Sequence, residues 1–149
     1  MLNALQYAFN MHGRLNHVAF LLFYLACGAY AAVAILLYAS LGDPEPGEAP
    51  LALILALLPG MAAIFSATVR RLHDRGRSGS WLAIFFVPAP LALWLGSLLF
   101  KSGVLTPDRF DTVFVPVFLT ASIPLVWGGV EIFFVPGTSG ANRFGPQLA

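Results

Sequence analysis

The chain has 149 residues; 58% are hydrophobic, 10% are charged, and the formal net charge is +1. Soluble domains carry about 25% charged residues, and a soluble protein of this size could not cover so apolar a surface with polar groups. The single cysteine, Cys27, excludes an internal disulfide.

In chain order, "MLNALQYAFNMHG" places Leu2, Leu5 and Phe9 on one helical face and Asn3, Gln6 and Asn10 on the other. This pattern predicts a short helix over 2–12, lying at the membrane interface, with Gly13 as its stop. Four long apolar stretches follow, at about 18–41, 49–69, 81–100 and 113–135. Each is close to the roughly 20 residues a helix needs to cross the hydrocarbon. The first run continues well past Cys27, unlike the apolar core of a cleaved signal peptide, and the residues before that cysteine fit a lipid-attachment box poorly. Span two is expected to remain helical through Asp74, Gly76 and Gly79 to break it, and Ser78 or Ser80 to cap span three, with Trp81 at the interface. Ala52, Ala56 and Gly60 on span two, and Gly28 and Ala32 on span one, are spaced for close helix packing. Pro59, Pro88, Pro90, Pro116 and Pro124 interrupt the later spans. The tail, 136–149, reads as glycine-rich coil. The expected fold is therefore all-α: a single membrane domain over 1–149, built as an integral bundle of four transmembrane helices plus the short N-terminal interfacial helix.

Charge sets the expected orientation. The first connector holds Asp43, Glu45 and Glu48 and no basic residue, whereas "RRLHDRGRSGS" holds four arginines. Basic residues near span ends stay cytoplasmic. With the arginine loop inside, Arg14 and Arg143 also fall inside, giving six basic residues on that side against Lys101 and Arg109 outside. Both termini are then cytoplasmic.

The arginine segment is the candidate site. Arg70, Arg71, Arg75 and Arg77, with Arg14, are placed at headgroup depth, where guanidinium forks suit phosphate oxygens. Arg70, His73 and Asp74 share a helical face, which pairs Asp74 with Arg70 at i,i+4. His73 beside Asp74 could serve as a base with its orienting carboxylate, but neighbours on a helix point about 100° apart and no nucleophile lies nearby. Glu131 is the sole ionisable residue inside a span, one turn from its cytoplasmic end, and joins His73 and Asp74 in an expected charge-paired cluster. Spans one to three hold no chain of ionisable groups, which argues against an ion-coupled pump. His12 and His17 are too few for a metal site, no cofactor is expected, and the glycine-rich segments lack the lysine of a phosphate loop. Four arginines at a membrane hairpin make a poor duplex footprint, so nucleic acid is not an expected partner. Membrane lipids are, with a second copy or another membrane protein beside them.

"GRLNHVAF" at 13–20, "VRRLHDRGRSGSW" at 69–81 and "PGTSGANRFGP" at 136–146 resemble, in order, three signatures of the domain of unknown function 805 family of small bacterial inner-membrane proteins, which has YhaH-like members. The resemblance implies a bacterial inner-membrane location and no established activity. The first family signature usually reads Gly-Arg-x-x-Arg-x-Glu-Phe-Trp; here the Arg, Glu and Trp positions hold His17, Ala19 and Leu21. Short family members have about one span between the second and third signatures, whereas this chain has room for two. Glu131 is accordingly expected to supply from span four the counter-charge that relatives supply from span one. The expected role is a non-enzymatic interaction or accessory protein. A small transporter or channel component and a lipid-headgroup enzyme are the alternatives.

Overall fold

The computed structural model describes residues 4–40 and 49–146, with side chains over 7–40 and 51–146. The acidic connector, with Asp43, Glu45 and Glu48, and the first residues of the expected interfacial helix lie outside the described residues. The elements are α1 (Ala4–Phe9), α2 (His17–Ser40), α3 (Ala49–Asp74), α4 (Trp81–Phe86), α5 (Pro88–Lys101), α6 (Pro107–Arg109), a π-helical turn (Phe110–Phe114) and α7 (Val115–Phe133). Among the described residues the sole β-type pairing is an isolated bridge between Asn142 and Gly145.

Three helical runs are long and apolar enough to cross a membrane: His17–Ser40, Leu51–Asp74 and Pro107–Phe133. The expectation of four continuous spans is thus corrected to three. The stretch expected as span three, 81–100, divides at Val87 into a six-residue α4 and a fourteen-residue α5. Prolines at 88 and 90 remove the two amides that would bond the carbonyls of Ile84 and Phe86, so the ladder cannot run through. The two pieces are about 9 and 21 Å long, each short of a full crossing. The last run starts earlier than expected. Pro107, preset in φ, opens it. Pro116 has no amide for the Thr112 carbonyl, and the ladder widens just before it, with Val115 N donating to Phe110 O. Pro59 and Pro124 lie inside helices that continue past them.

Only 6% of the most apolar window of α2 is buried within the protein. Val18, Leu22, Leu25, Leu36 and Leu37 are all more than three-fifths exposed. So large an apolar surface is stable only against lipid.

The contacts divide the chain into two compact units: the chain up to Arg77 together with the chain from Pro136 onward, and Ser78–Val135. In the first unit α2 packs on α3. A Cβ on Gly60 would lie 2.9 Å from the Tyr30 ring, so the glycine admits that ring, whose hydroxyl donates to the Ala56 carbonyl. The small-residue face expected on α3 is therefore a contact face at Gly60, whereas Gly28 has open space beside it. Asn16 caps α2 by accepting from Ala19 N at 2.8 Å. α3 ends in a Schellman motif: Gly76 N donates to His73 O and Arg77 N to Leu72 O, both at 2.9 Å, with Gly76 at φ +71°.

In the second unit α4 and α5 run antiparallel to α7. Cβ atoms on Gly128 and Gly96 would lie 2.5 Å from Phe85 and 2.0 Å from Phe114, so each glycine is the seat of an aromatic ring. Trp127 meets Trp81 and Phe85 edge-on, with centroids 6.2 and 5.8 Å away. Ser80 holds the N-cap position of α4 but makes no side-chain cap bond; its hydroxyl pairs with that of Ser78 at 2.6 Å.

Candidate functional site

Around the end of α3 the first unit gathers the signature segments 13–20 and 136–146 and the middle one as far as Arg77. Asp74 is its centre, 4% exposed at the last position of the helix. A carboxylate there opposes the helix dipole and needs cationic partners. It has two. Arg14 approaches side-on, with Nε 2.9 Å and Nη2 2.8 Å from Oδ1. Arg71 Nη1 lies 2.6 Å from Oδ2. Both arginine side chains are fully buried.

The tail closes the site through its backbone. Arg14 Nη1 and Nη2 donate to the carbonyls of Gly140 and Thr138. Thr138 N and Oγ1 both donate to the Asp74 carbonyl at 2.9 Å, an orphan acceptor of the helix end. Asn142 Nδ2 reaches the His73 carbonyl at 2.9 Å and Thr138 Oγ1 at 3.1 Å. Arg75 Nη1 donates to the Pro136 carbonyl, and Arg143 Nη2 to Gly76 O at 3.2 Å. From the N-terminal side, Leu15 N donates to Arg70 O at 3.2 Å. The segment expected as coil is therefore a strap fastened by side chains to the carbonyls of α3.

The expected pairing changes accordingly. Asp74 holds Arg71 at i,i+3 and Arg14 from 60 residues away, not Arg70. Arg70 is 2% exposed, with its guanidinium carbon 4.5 Å above the Tyr7 ring of α1. His17, at the family's arginine position, has Nδ1 3.3 Å from Arg71 Nη2. His73 faces away from Asp74's carboxylate chemistry. Its Nδ1 lies 3.1 Å from Gly13 O, which fixes Nδ1 as the donor, and its ring stacks on Phe144 with centroids 4.0 Å apart. Both Asp74 oxygens are engaged by guanidinium groups, so the carboxylate does not orient His73 for proton transfer. Arg75 and Arg77 are half-buried and Arg143 is exposed. Glu131 is 4% exposed on α7, in the second unit.

Sequence reasoning passed over Asn16, Thr138 and Asn142. Asn16 carried a readable signal, an Asn directly before an apolar helix. Thr138 and Asn142 stand in a glycine-rich segment without periodicity, where the available cue was that such side chains bond backbone groups.

Long apolar helices, lipid-exposed leucines and a buried ion-paired cluster at a helix end define a multi-pass helical membrane protein. A family model described as "Protein of unknown function (DUF805)" matches residues 8–146, and the chain belongs to that family. It is 31% identical over 98 residues to "Inner membrane protein YhaI" of Escherichia coli (strain K12), covering 66% of this chain and 54% of that protein. The protein of the same name from Escherichia coli O157:H7 is 42% identical over 53 residues, covering 36% of this chain and 43% of the relative. The chain thus spans about half the length of the curated relatives it matches. No solved structure matches.

Proposed function

We propose that the chain is a bacterial inner-membrane interaction or accessory protein without catalytic activity, whose strapped cluster presents an arginine-bearing face to anionic lipid headgroups. The observation that carries this reading is the double engagement of Asp74. The one carboxylate at the cluster's centre is committed to Arg14 and Arg71, so its chemistry is structural, and the arginines beyond it, Arg75 and Arg77, retain part of their surface. The printed names of the relatives place those proteins in the inner membrane. Each basic residue at headgroup depth gains about 1 kcal/mol from an anionic leaflet. Joint replacement Arg75→Gln and Arg77→Gln is therefore expected to lower phosphatidylglycerol retention about 30-fold, from about 2 kcal/mol. Native mass spectrometry of protein released from nanodiscs checks it. Unchanged retention would leave these arginines as topology anchors.

The same reading puts the cluster and both termini on the cytoplasmic side. Two observations support a common side for them. The flanks of the second unit, at Arg77 and Pro136, both belong to the first unit and are joined there by Thr138 N to Asp74 O. Within the second unit, α4 and α5 follow α7 from the level of Gly128 to that of Phe114, about 20 Å of helix. The broken pair thus carries the chain back through the depth that α7 crosses, as two partial helices. Reporter fusions at Asp43 and Lys101 should read periplasmic, and fusions at Gly76 and Ala149 cytoplasmic. A periplasmic Ala149 would remove the return crossing.

A further inference from the structure

Arg70 is the buried cation that the Asp74 cluster does not use. Asp74 already has a guanidinium on each oxygen. Arg70 is 2% exposed, and its Nε and Nη2 have no hydrogen-bond partner among the described residues. Those two atoms form the side-on fork of a guanidinium, the edge with which Arg14 grips Asp74. Tyr7 covers the flat face of the group, a cation–π contact that uses none of the in-plane donors. A buried charge with an idle bidentate edge is unfavourable unless an acceptor can reach it.

The covering element is short and rests on α3. α1 is six residues long, shorter than an independently stable helix. Tyr7, Phe9 and Met11 are each more than two-fifths exposed. The described ties to α3 from this segment include the Tyr7 contact and Ser66 Oγ donating to Asn10 O at 2.7 Å. The segment then turns at Gly13, where φ is +85° and a side chain would be strained.

We infer that Arg70 is an oxyanion site under an α1 lid, binding two phosphate oxygens side-on through Nε and Nη2 when α1 lifts about Gly13. The phosphate belongs to an anionic headgroup or is free phosphate; Arg70 lies about one turn inside the end of α3, within reach of either. This deepens the headgroup reading and rests on it.

The test uses the full chain in two settings. One is a phosphatidylcholine nanodisc with or without phosphatidylglycerol. The other is a dodecyl maltoside micelle with inorganic phosphate or chloride at equal ionic strength. Hydrogen exchange of amides 7–10 reports the lid, and native mass spectrometry reports retained lipid. Phosphatidylglycerol should speed exchange in 7–10, and Arg70→Gln should abolish that response. Tyr7→Ala removes the lid at a half-exposed position, so the variant should fold; it should raise phosphatidylglycerol retention about tenfold. Adding Arg70→Gln should cancel the gain. A response to inorganic phosphate in micelles, with none to phosphatidylglycerol, upholds the site and assigns it to free phosphate. No gain from Tyr7→Ala in either setting, or a gain that survives Arg70→Gln, overturns the inference. Loss of lipid on Arg75→Gln and Arg77→Gln with Tyr7→Ala neutral sinks this inference alone. An Arg70-dependent gain with those two replacements silent sinks the wider headgroup surface and leaves the site.

Discussion

Asp74→Asn is expected to destabilise the protein more than any other single charge removal, by about 3–5 kcal/mol. The substitution keeps the shape of the side chain and deletes its charge. Two guanidinium groups with fully buried side chains, Arg14 and Arg71, then lose the Asp74 carboxylate. A surface pair would contribute 0–1 kcal/mol and lose as little. Here neither cation can turn to water, and the penalty is that of two buried cations deprived of the carboxylate between them. For a chain of this size the melting temperature should fall by about 10 °C. Thermal unfolding of purified protein in detergent measures it. Asp111→Asn, at an exposed position, should leave the melting temperature unchanged. Equal behaviour of the two variants would mean that the cluster contributes nothing to stability.

The spans were readable because bilayer thickness imposes a length, and α2, α3 and α7 satisfy it with little help from tertiary packing. The third stretch had the same composition and failed as a continuous helix. Hydropathy does not register that Pro88 and Pro90 delete two ladder bonds within one turn, and two prolines so close together break what one, such as Pro59, only bends. The arginine cluster was readable as a concentration of charge, but its pairing was not. Helical spacing offers Asp74 only the partners one turn away, Arg70 and Arg71, and the i,i+4 spacing points to Arg70. The side-on grip of Arg14 comes from 60 residues earlier, and no local periodicity encodes it. Once Arg14 holds one carboxylate oxygen, the other is left for Arg71, and Arg70 turns to Tyr7.

The tail was the least readable part of the site, for a different reason. Helices and strands announce themselves because apolar residues recur at a fixed period. The strap from Pro136 onward has no period to detect. It is held by single side chains reaching carbonyls, Arg14 to Thr138 and Gly140, Asn142 to His73 and Arg75 to Pro136. Such bonds depend on where the backbone already is, so they follow from the fold and do not forecast it. The three signature segments, far apart in sequence, are thereby explained as one physical object: a helix end, the arginine that neutralises it, and the strap that covers it.

Gly137→Ala should release that strap. A Cβ at Gly137 would lie 1.9 Å from Asp74 Oδ2 and 2.6 Å from its Cγ. Contacts so short demand movement, and the carboxylate has little freedom to give it. Its Oδ2 is held at 2.6 Å by Arg71 and its Oδ1 by Arg14, while its own backbone carbonyl receives Thr138. One added methyl therefore forces a choice between the ion pairs and the strap. The strap is the weaker partner, because hydrogen bonds of this kind contribute about 1 kcal/mol each whereas stripping the buried pair costs about 3–5 kcal/mol. The tail should detach first, and trypsin should cut after Arg143 at least about tenfold faster, the factor for about 1.4 kcal/mol of lost closure. Two further glycines separate this clash from other effects. At Gly140 there is open space but φ is +75°, so Gly140→Ala should show only backbone strain, about 1–2 kcal/mol. At Gly129, inside α7, there is open space and no unusual φ, so Gly129→Ala should cut no faster than the unmodified chain. If Gly137→Ala behaves like Gly129→Ala in both cleavage rate and melting temperature, the carboxylate is not locked against the strap and the Asp74 clamp does not hold the tail.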